Sequence, residues 1–502
     1  MRSRQMELYV ERTTADSGQH RWTRQMMAAF LCAVTIAAIA FVLMERGGQV
    51  ATVCALALVS SHVIAIGWLL QDDIFNPLSG VWLSLFIGTG LRSVYLALSD
   101  SDRVPTMMWQ LEFDDLAIGA NIATLAAVSI VTGYAISSRL SLPIRCKYLV
   151  GLRHDRLIWI TLFALFCAFI AAVDFFRQTG FDLSLGLSAK RRFATDGENV
   201  QAFAALGYHR WFACILPSVL FYFWSWEFVR SRSRVAGSFA FACFMMASGF
   251  AFLASSRSVI CALLLNSLFI LHSLGYLRFI HVMLVAAAVV LILSVMLGLR
   301  QFSSGKKSEV KVSNTLAPEA AIDALLGNEN FADLGRTSLI YRSVPNVFGY
   351  RYGMSYISWL FAPIPRAQWK DKPVLSQGLE VSEVIYGARR SAKGIEGGGR
   401  PPTFIGEVIM NFGLFGVPVC GLIYGIGLRL FHNFHSVDTR SNVLLSACIL
   451  LPISFGYMGA EFSMALIEVM QALIPAMILL WWTGLSFSDF GHRRFEGMNE
   501  EG

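Results

Sequence analysis

The feature that most constrains this chain is a series of apolar runs, each long enough to cross a lipid bilayer as one helix. The hydrocarbon core of a bilayer is roughly 30 Å thick, and about 20 apolar helical residues span it. Runs of this length recur through a chain of 502 residues that is 55% hydrophobic and only 15% charged. A soluble domain does not carry that balance. The sequence therefore predicts an all-α polytopic membrane protein with about twelve spans.

The predicted spans follow the apolar runs. They are Met26–Met44, Val50–Leu70, Leu78–Leu98, Leu116–Ile136, Leu157–Phe175, Trp211–Phe228, Ala236–Ala254, Val259–Leu277, Phe279–Gly298, Thr403–Leu430, Val443–Gly459 and Met464–Leu485. No small-residue cleavage site follows the first run, so we interpret it as a retained span and not as a signal peptide. The tenth run is long and rich in glycine, which indicates a helix that begins broken or re-entrant.

The positions of the short basic segments predict the orientation of the spans. Arginine and lysine cluster before the first span and after the fourth, the sixth and the last. With an even number of spans these segments share one side, which the positive-inside rule assigns to the cytoplasm together with both termini. Two long segments then face outward, at about 176–210 and at 299–402. We divide the chain into a membrane bundle (1–298), a large basic outer loop (299–402) and a C-terminal part (403–502).

The large outer loop is rich in positive charge. Its cations are Arg300, Lys306, Lys307, Lys311, Arg336, Arg342, Arg351, Arg366, Lys370, Lys372, Arg389, Arg390, Lys393 and Arg400. Long loops cross a membrane regardless of charge, so a plain solvated surface is one interpretation. Arginine matches phosphate oxygens with two parallel donors, and lysine supplies a point charge. The cluster therefore favours an anionic ligand at the outer membrane surface.

Two segments of this region combine cations with features that fix the backbone. In the first, Arg366 and Lys372 flank Trp369 between prolines that exclude a helix. The tryptophan is suited to stacking on a sugar face, or alternatively to anchoring at the lipid headgroups. In the second, Arg400 precedes Pro401-Pro402, and Glu407 follows inside an apolar run. A carboxylate at membrane depth indicates a functional site, and a structural ion pair with a nearby arginine is the alternative.

The two segments carry the motifs PRxxWxxKP and GGxRPPTFIGExxMNFGLxG. Together they resemble the Wzy-type O-antigen polymerases, which join oligosaccharide repeat units. The similarity is sharpest over about 336–416, and the span layout extends it over most of the chain. A weaker likeness lies at LSAKRR, residues 187–192.

This resemblance implies a metal-independent, cofactor-free glycosyltransferase with a GT-C-like arrangement, in the inner membrane of a bacterium with its site on the periplasmic face. The growing glycan would pass from its undecaprenyl pyrophosphate carrier to an incoming lipid-linked repeat unit. The product would be O-antigen or another exopolysaccharide. The expected partners are the lipid-linked oligosaccharide, membrane lipids, a chain-length regulator and a flippase, with no nucleic acid.

The resemblance also suggests roles for individual residues. A departing pyrophosphate needs cations, for which we select Arg366, Lys372 and Arg400 as catalytic residues. Glu407 is the candidate general base, or else a group that orients the arginines. Further residues are expected to bind substrate: Arg191, Arg257, Arg336, Arg342 and Trp369. For Arg257, which lies in a short outer turn, a snorkelling anchor is an equal alternative.

A metal site is not expected, although one acidic segment offers a rival interpretation. Cysteines lie mostly in apolar runs without a CxxC pair, so neither disulfides nor a cysteine zinc site are predicted. Glu112, Asp114 and Asp115 resemble the acidic pairs with which GT-C transferases bind a divalent ion. The same residues would also stabilise the start of the fourth span.

Charges and glycines within the spans need separate explanations. Arg92 lies in the third span, where it can reach the outer site or pair with Glu468 or Asp174. Gly425 and Gly427 lie in the tenth span, where glycine usually permits close helix packing.

Two other functions compete with polymerisation. A flippase or transporter usually shows repeated halves and charges spread through its spans, and neither is visible here. An O-antigen ligase usually relies on a histidine in its late outer loop. In this chain the only histidine of the long outer loops is His209, in the earlier one, which favours a polymerase.

Overall fold

The computed structural model describes most of the predicted spans and parts of the loops between them. The described residues are 32–69, 71, 75–98, 113–139, 154–178, 208–253, 256–303, 322, 326, 332–347, 349–362, 364, 368–369, 376–387, 390–391, 394–395, 399–435 and 440–483. Within these ranges the chain is almost entirely helical.

The N-terminal part is a series of long helices. They are α1 (32–46), α2 (Gly48–Leu69), α3 (Pro77–Leu98, π-helical at Phe86–Leu91), α4 (Phe113–Ile136, followed by a 3₁₀ turn at Ser137–Arg139), α5 (His154–Gln178), α6 (Tyr208–Ser231, π-helical at Trp211–Ile215), α7 (Arg234–Leu253), α8 (Arg257–Ser273) and α9 (Phe279–Ser303).

Shorter elements then lead to the last long helices. They are α10 (Leu334–Ser343), α11 (Met354–Ile357, followed by a 3₁₀ turn at Ser358–Phe361), α12 (Gly378–Val384), the strands β1 (Arg390–Ser391) and β2 (Gly394–Ile395), α13 (Thr403–Phe412), α14 (Gly416–His435), α15 (Arg440–Leu451, continued by a π-helical turn at Pro452–Gly456 and by Tyr457–Gly459) and α16 (Phe462–Trp482). The strands pair antiparallel, with Arg390 opposite Ile395.

Eight helices among the described residues are long and apolar enough to cross a membrane, judged by length and composition. They are α2, α3, α4, α5, α6, α7, α14 and α16. The predicted spans after the first begin and end within a few residues of observed helices. The first predicted span lies partly outside the described residues, and its described part is helical. The expectation of a helical, membrane-compatible protein is therefore confirmed, while the number of crossings stays a prediction.

One close helix contact joins α4 to α14 through glycines. A Cβ atom on Gly425 would lie 2.1 Å from the backbone oxygen of Ile130, and one on Gly133 would lie 2.2 Å from that of Leu422. Only hydrogen fits at these two positions, so the prediction of close packing holds for Gly425. It does not hold for Gly427, where an added Cβ would meet nothing within 4 Å.

The predicted interruption of the tenth span lies between α13 and α14. Gly413 takes a φ of +67°, which favours glycine and ends α13. Its amide still donates to the Ile409 carbonyl at 2.8 Å, so α13 is closed at its last turn. The break leaves Glu407 on a short helix of its own, directly after the Arg400–Pro402 turn.

Candidate functional site

The candidate site is built where α10, α12 and α13 meet the start of α16. Asn411, near the end of α13, holds the first turn of α11 and the residue before it. Its side-chain oxygen accepts from the Gly353 amide at 2.9 Å, and its amide donates to Ser355 Oγ at 2.7 Å. The backbone adds a bond from Arg351 N to the Met410 carbonyl at 3.0 Å. Arg351 is thereby held on the turn beside α13.

Glu407 points into this junction and is completely buried. One carboxylate oxygen accepts from the Phe462 amide at 2.8 Å, at the first residue of α16. The other accepts from Gln377 Nε2 at 3.4 Å, just before α12. Glu407 therefore ties α13 to both neighbours. These contacts suit an orienting group, because no face of the carboxylate is open to solvent.

A second buried carboxylate, Glu461, lies on the other side of Gln377. Its Oε2 accepts from the Gln377 backbone amide at 2.7 Å, and the residue is 1% exposed. Burial raises the pKa of the Glu461 carboxyl to about 7, although hydrogen bonds from Ser376 and Gln377 and the charge of Arg351 act in the opposite direction. Gln377 thus bridges two buried acids from different parts of the chain.

Arg400 lies against α12 and stays partly exposed. Its guanidinium carbon lies 4.1 Å from the centre of the Tyr386 ring, a cation–π contact. Its backbone amide donates to the Gly378 carbonyl at 2.8 Å and to Ser382 Oγ at 3.0 Å. A Cβ on Gly378 would lie 2.8 Å from Pro401 N, so this close approach depends on glycine. The turn that carries Arg400 is therefore fixed by α12.

Arg336 and Arg342 lie on α10 in different environments. Arg336 is fully buried, and its Nη1 donates to the Pro401 carbonyl at 2.5 Å. Arg342 is 57% exposed and pairs with Asp115 at 3.2 Å. Arg336 thus holds the turn beside Arg400 from within, whereas Arg342 stays accessible to a ligand at the surface.

Arg351 forms an ion pair with Glu380 of α12, and both residues are partly exposed. Arg351, Gln377 and Glu461 are not among the site residues selected from the sequence. Arg351 is one of many loop cations, and Glu461 falls in the short turn between two predicted spans. Only the three-dimensional contacts distinguish them from their neighbours.

Arg92 has a partner that the sequence did not suggest. Its Nε lies 2.5 Å from Asp333 Oδ2, and both side chains are 2% exposed. Of the two alternatives for Arg92, pairing with Glu468 or Asp174 is wrong, because its partner is Asp333. Glu468 pairs with Arg210 at 3.3 Å. Asp174 instead accepts from Tyr208 and contacts His209.

The remaining selected residues are described in part or not at all. Trp369 contacts Phe361 edge to face, with ring centres 5.5 Å apart. Arg257 begins α8, but its side chain lies outside the described residues. Three more lie entirely outside them: Arg191, Arg366 and Lys372.

The described residues hold no group of three or more metal-ligating side chains. Asp114 and Asp115 lie in the first turn of α4, where negative charge stabilises a helix start. His209 has no exposed surface, and its Nε2 lies 2.9 Å from Asp174 Oδ2. This histidine is therefore not presented at the surface.

Together these contacts place two partly exposed arginines, Arg400 and Arg351, beside α12. A buried frame of carboxylates and amides holds the segments that carry them. Such an arrangement suits binding of an anion at a defined position. No protein-family model, no curated protein and no solved structure matches the chain.

Proposed function

We propose that this chain polymerises lipid-linked oligosaccharide repeat units at the periplasmic face of a bacterial inner membrane, as Wzy-type polymerases do. The proposal includes about twelve spans in a GT-C-like arrangement. One observation supports it: the motif segment 399–413 is hydrogen-bonded to three other elements. These are α10, through Arg336, then α12, and the start of α16. A segment held so firmly beside an apolar bundle is suited to presenting Arg400 to a membrane-bound anion.

In the proposed reaction, a sugar hydroxyl of the incoming unit attacks the anomeric carbon of the growing glycan. The bond from that carbon to the pyrophosphate oxygen breaks as the new glycosidic bond forms, and the hydroxyl proton passes to a base. Negative charge accumulates on the leaving pyrophosphate. Arg400, Arg366 and Lys372 would stabilise it there, because fixed cations act strongly where water is excluded. A metal ion is not required by this scheme.

Glu407 acts in this scheme as an orienting group. Both of its oxygens are engaged inside the protein, and the side chain is completely buried. By holding Gln377 and Phe462 it fixes α13 relative to α12, and so fixes the Arg400 turn. Arg336 supports the same turn through Pro401. The base is a group other than these two.

The test uses the purified protein in vesicles with a synthetic undecaprenyl-pyrophosphate repeat unit, with products separated by size. The wild-type protein should give a ladder of chains. Arg400→Gln and Arg366→Ala should each reduce chains longer than one unit by about 10²-fold or more, as loss of one transition-state contact does. Arg278→Gln, in an exposed turn between α8 and α9, is the control. A ladder unchanged in both site variants would refute the assignment.

A further inference from the structure

We propose that Arg92 and Asp333 are positioning residues for this site. The ion pair between them fastens α10 to α3, and α10 in turn fixes the Arg400–Pro402 turn. Where the effect on polymerisation is concerned, the inference rests on the proposed function. The claim that the pair fixes the position of the Arg400–Pro402 turn does not rest on the proposed function.

The junction between α3 and α10 is buried and holds two polar contacts. Arg92 Nε lies 2.5 Å from Asp333 Oδ2, with both side chains 2% exposed. One turn earlier on α3, Thr89 Oγ1 donates to the Ala332 carbonyl at 2.6 Å. A buried charge this close to a partner of opposite sign is stabilised only if the partner stays in place. The start of α10 is therefore tied to the apolar helix at two successive residues.

Asp333 uses its other oxygen to begin α10. Its Oδ1 accepts from the Arg336 backbone amide at 2.6 Å, as an N-cap residue does. The same Arg336 reaches across with its side chain, and Nη1 donates to the Pro401 carbonyl at 2.5 Å. A continuous path of contacts thus runs from Arg92 through Asp333 and Arg336 to the residue after Arg400.

Two glycines allow α10 to pack closely against both α4 and α13. A Cβ on Gly119 of α4 would lie 2.1 Å from Ser338 Oγ, and one on Gly406 of α13 would lie 2.5 Å from Ile340 Cδ1. Because α10 contacts α13 at the residue next to Glu407, a shift of α10 would also reach the helix that carries this carboxylate. Close packing transmits such shifts.

Single substitutions do not separate positioning from folding, because each leaves a buried charge without its partner. The double variant Arg92→Met with Asp333→Asn removes both charges. Asparagine still accepts the Arg336 amide as an N-cap, and replacing a buried pair by uncharged groups is often neutral for stability. A purely structural pair would then be dispensable. A positioning pair would not, because only the Thr89 hydrogen bond would still join the start of α10 to α3.

The experiment is hydrogen–deuterium exchange on the full-length protein in detergent, read at the Arg400 amide. Pro401 and Pro402 carry no amide hydrogen, so a short peptide there reports almost only on Arg400. In the double variant this amide should exchange about tenfold faster or more than in the wild type, at an unchanged melting temperature. Glu468→Gln, which breaks the half-exposed Arg210 pair, should leave the exchange unchanged.

Asp333→Glu serves as the second variant if the double variant does not fold. It retains the charge for Arg92 but lengthens the cap by one methylene, so faster exchange at Arg400 is again expected. Unchanged protection of Arg400 in a folded variant would overturn the inference. The same variants should shorten the glycan ladder. A wild-type protein that makes no ladder would count against the proposed function alone, since the exchange result does not depend on it.

Discussion

Replacing Glu407 tests whether this carboxylate orients the site or acts as its base. Glu407→Ala would leave the Phe462 amide and the Gln377 side-chain amide, now 2.8 and 3.4 Å from the carboxylate oxygens, without a buried acceptor. Each abandoned donor costs about 1–3 kcal/mol, so the variant should lose about 2–6 kcal/mol of stability. The start of α16 and the approach to α12 would both loosen.

Glu407→Gln removes the charge and keeps the shape. The new amide oxygen accepts from the Phe462 amide as before, and the new NH₂ group faces Gln377. Gln377 Oε1 is buried without a hydrogen-bond partner among the described residues, so a rotation of its amide would provide an acceptor. The two bonds are then conserved, and stability should change by less than about 1 kcal/mol. Polymerisation should persist, because an orienting group needs its hydrogen bonds and not its charge.

The assay compares melting in detergent with the glycan ladder formed in vesicles for both variants. We expect Glu407→Ala to melt several degrees lower with short chains, and Glu407→Gln to match the wild type in both measurements. A Glu407→Gln protein that melts like the wild type but stops at one repeat unit would refute the orienting role. It would identify the carboxylate as the base, which requires its proton-accepting form.

Four other substitutions test the fold and its electrostatics. Gly425→Ala would press a methyl group against the Ile130 carbonyl and should cost about 1–3 kcal/mol or more, whereas Gly427→Ala, with open space around it, should melt no lower than the wild type. Since the pKa of Glu461 is raised from 4.5 to about 7 in the folded protein, the folded state keeps the proton that the unfolded chain has lost. The contribution of protonated Glu461 to the free energy of unfolding is therefore fully present below about pH 4.5 and is lost as the pH rises through about 7. The melting temperature should fall over this pH range, and Glu461→Gln should make the fall smaller. Arg336→Met should lower both the melting temperature and the yield of long chains, because the Pro401 carbonyl would lose the hydrogen bond that Arg336 donates; normal chain lengths would contradict its role in holding the turn.

The helices could be predicted from the sequence because the bilayer imposes a length and a composition on each span. α2, α3, α4 and α16 accordingly coincide with apolar runs to within a few residues. The break at Gly413 could also be anticipated, since the run around it is long and rich in glycine. The sequence does not show which of the two glycines contacts another helix. Only the position of α4 shows that Gly425 is in close contact and that Gly427 has open space around it.

The site could be predicted only in part. Arg400 and Glu407 stand out because prolines precede one and apolar residues surround the other. Arg336 was selected for its charge, yet its side chain is buried and engaged with Pro401. The pairing of Arg92 with Asp333 joins residues more than two hundred positions apart, and no local pattern encodes such a contact.

The most direct test of the polymerase assignment is deletion of the gene in the organism that carries it, followed by electrophoresis of the surface glycan. We predict that the ladder of chain lengths collapses to a single repeat unit and that the wild-type chain, supplied on a plasmid, restores it. Loss of all repeat units from the lipid A core would indicate a ligase instead. Repeat units trapped on the inner side would indicate a flippase, and an unchanged ladder would contradict a role in this assembly altogether.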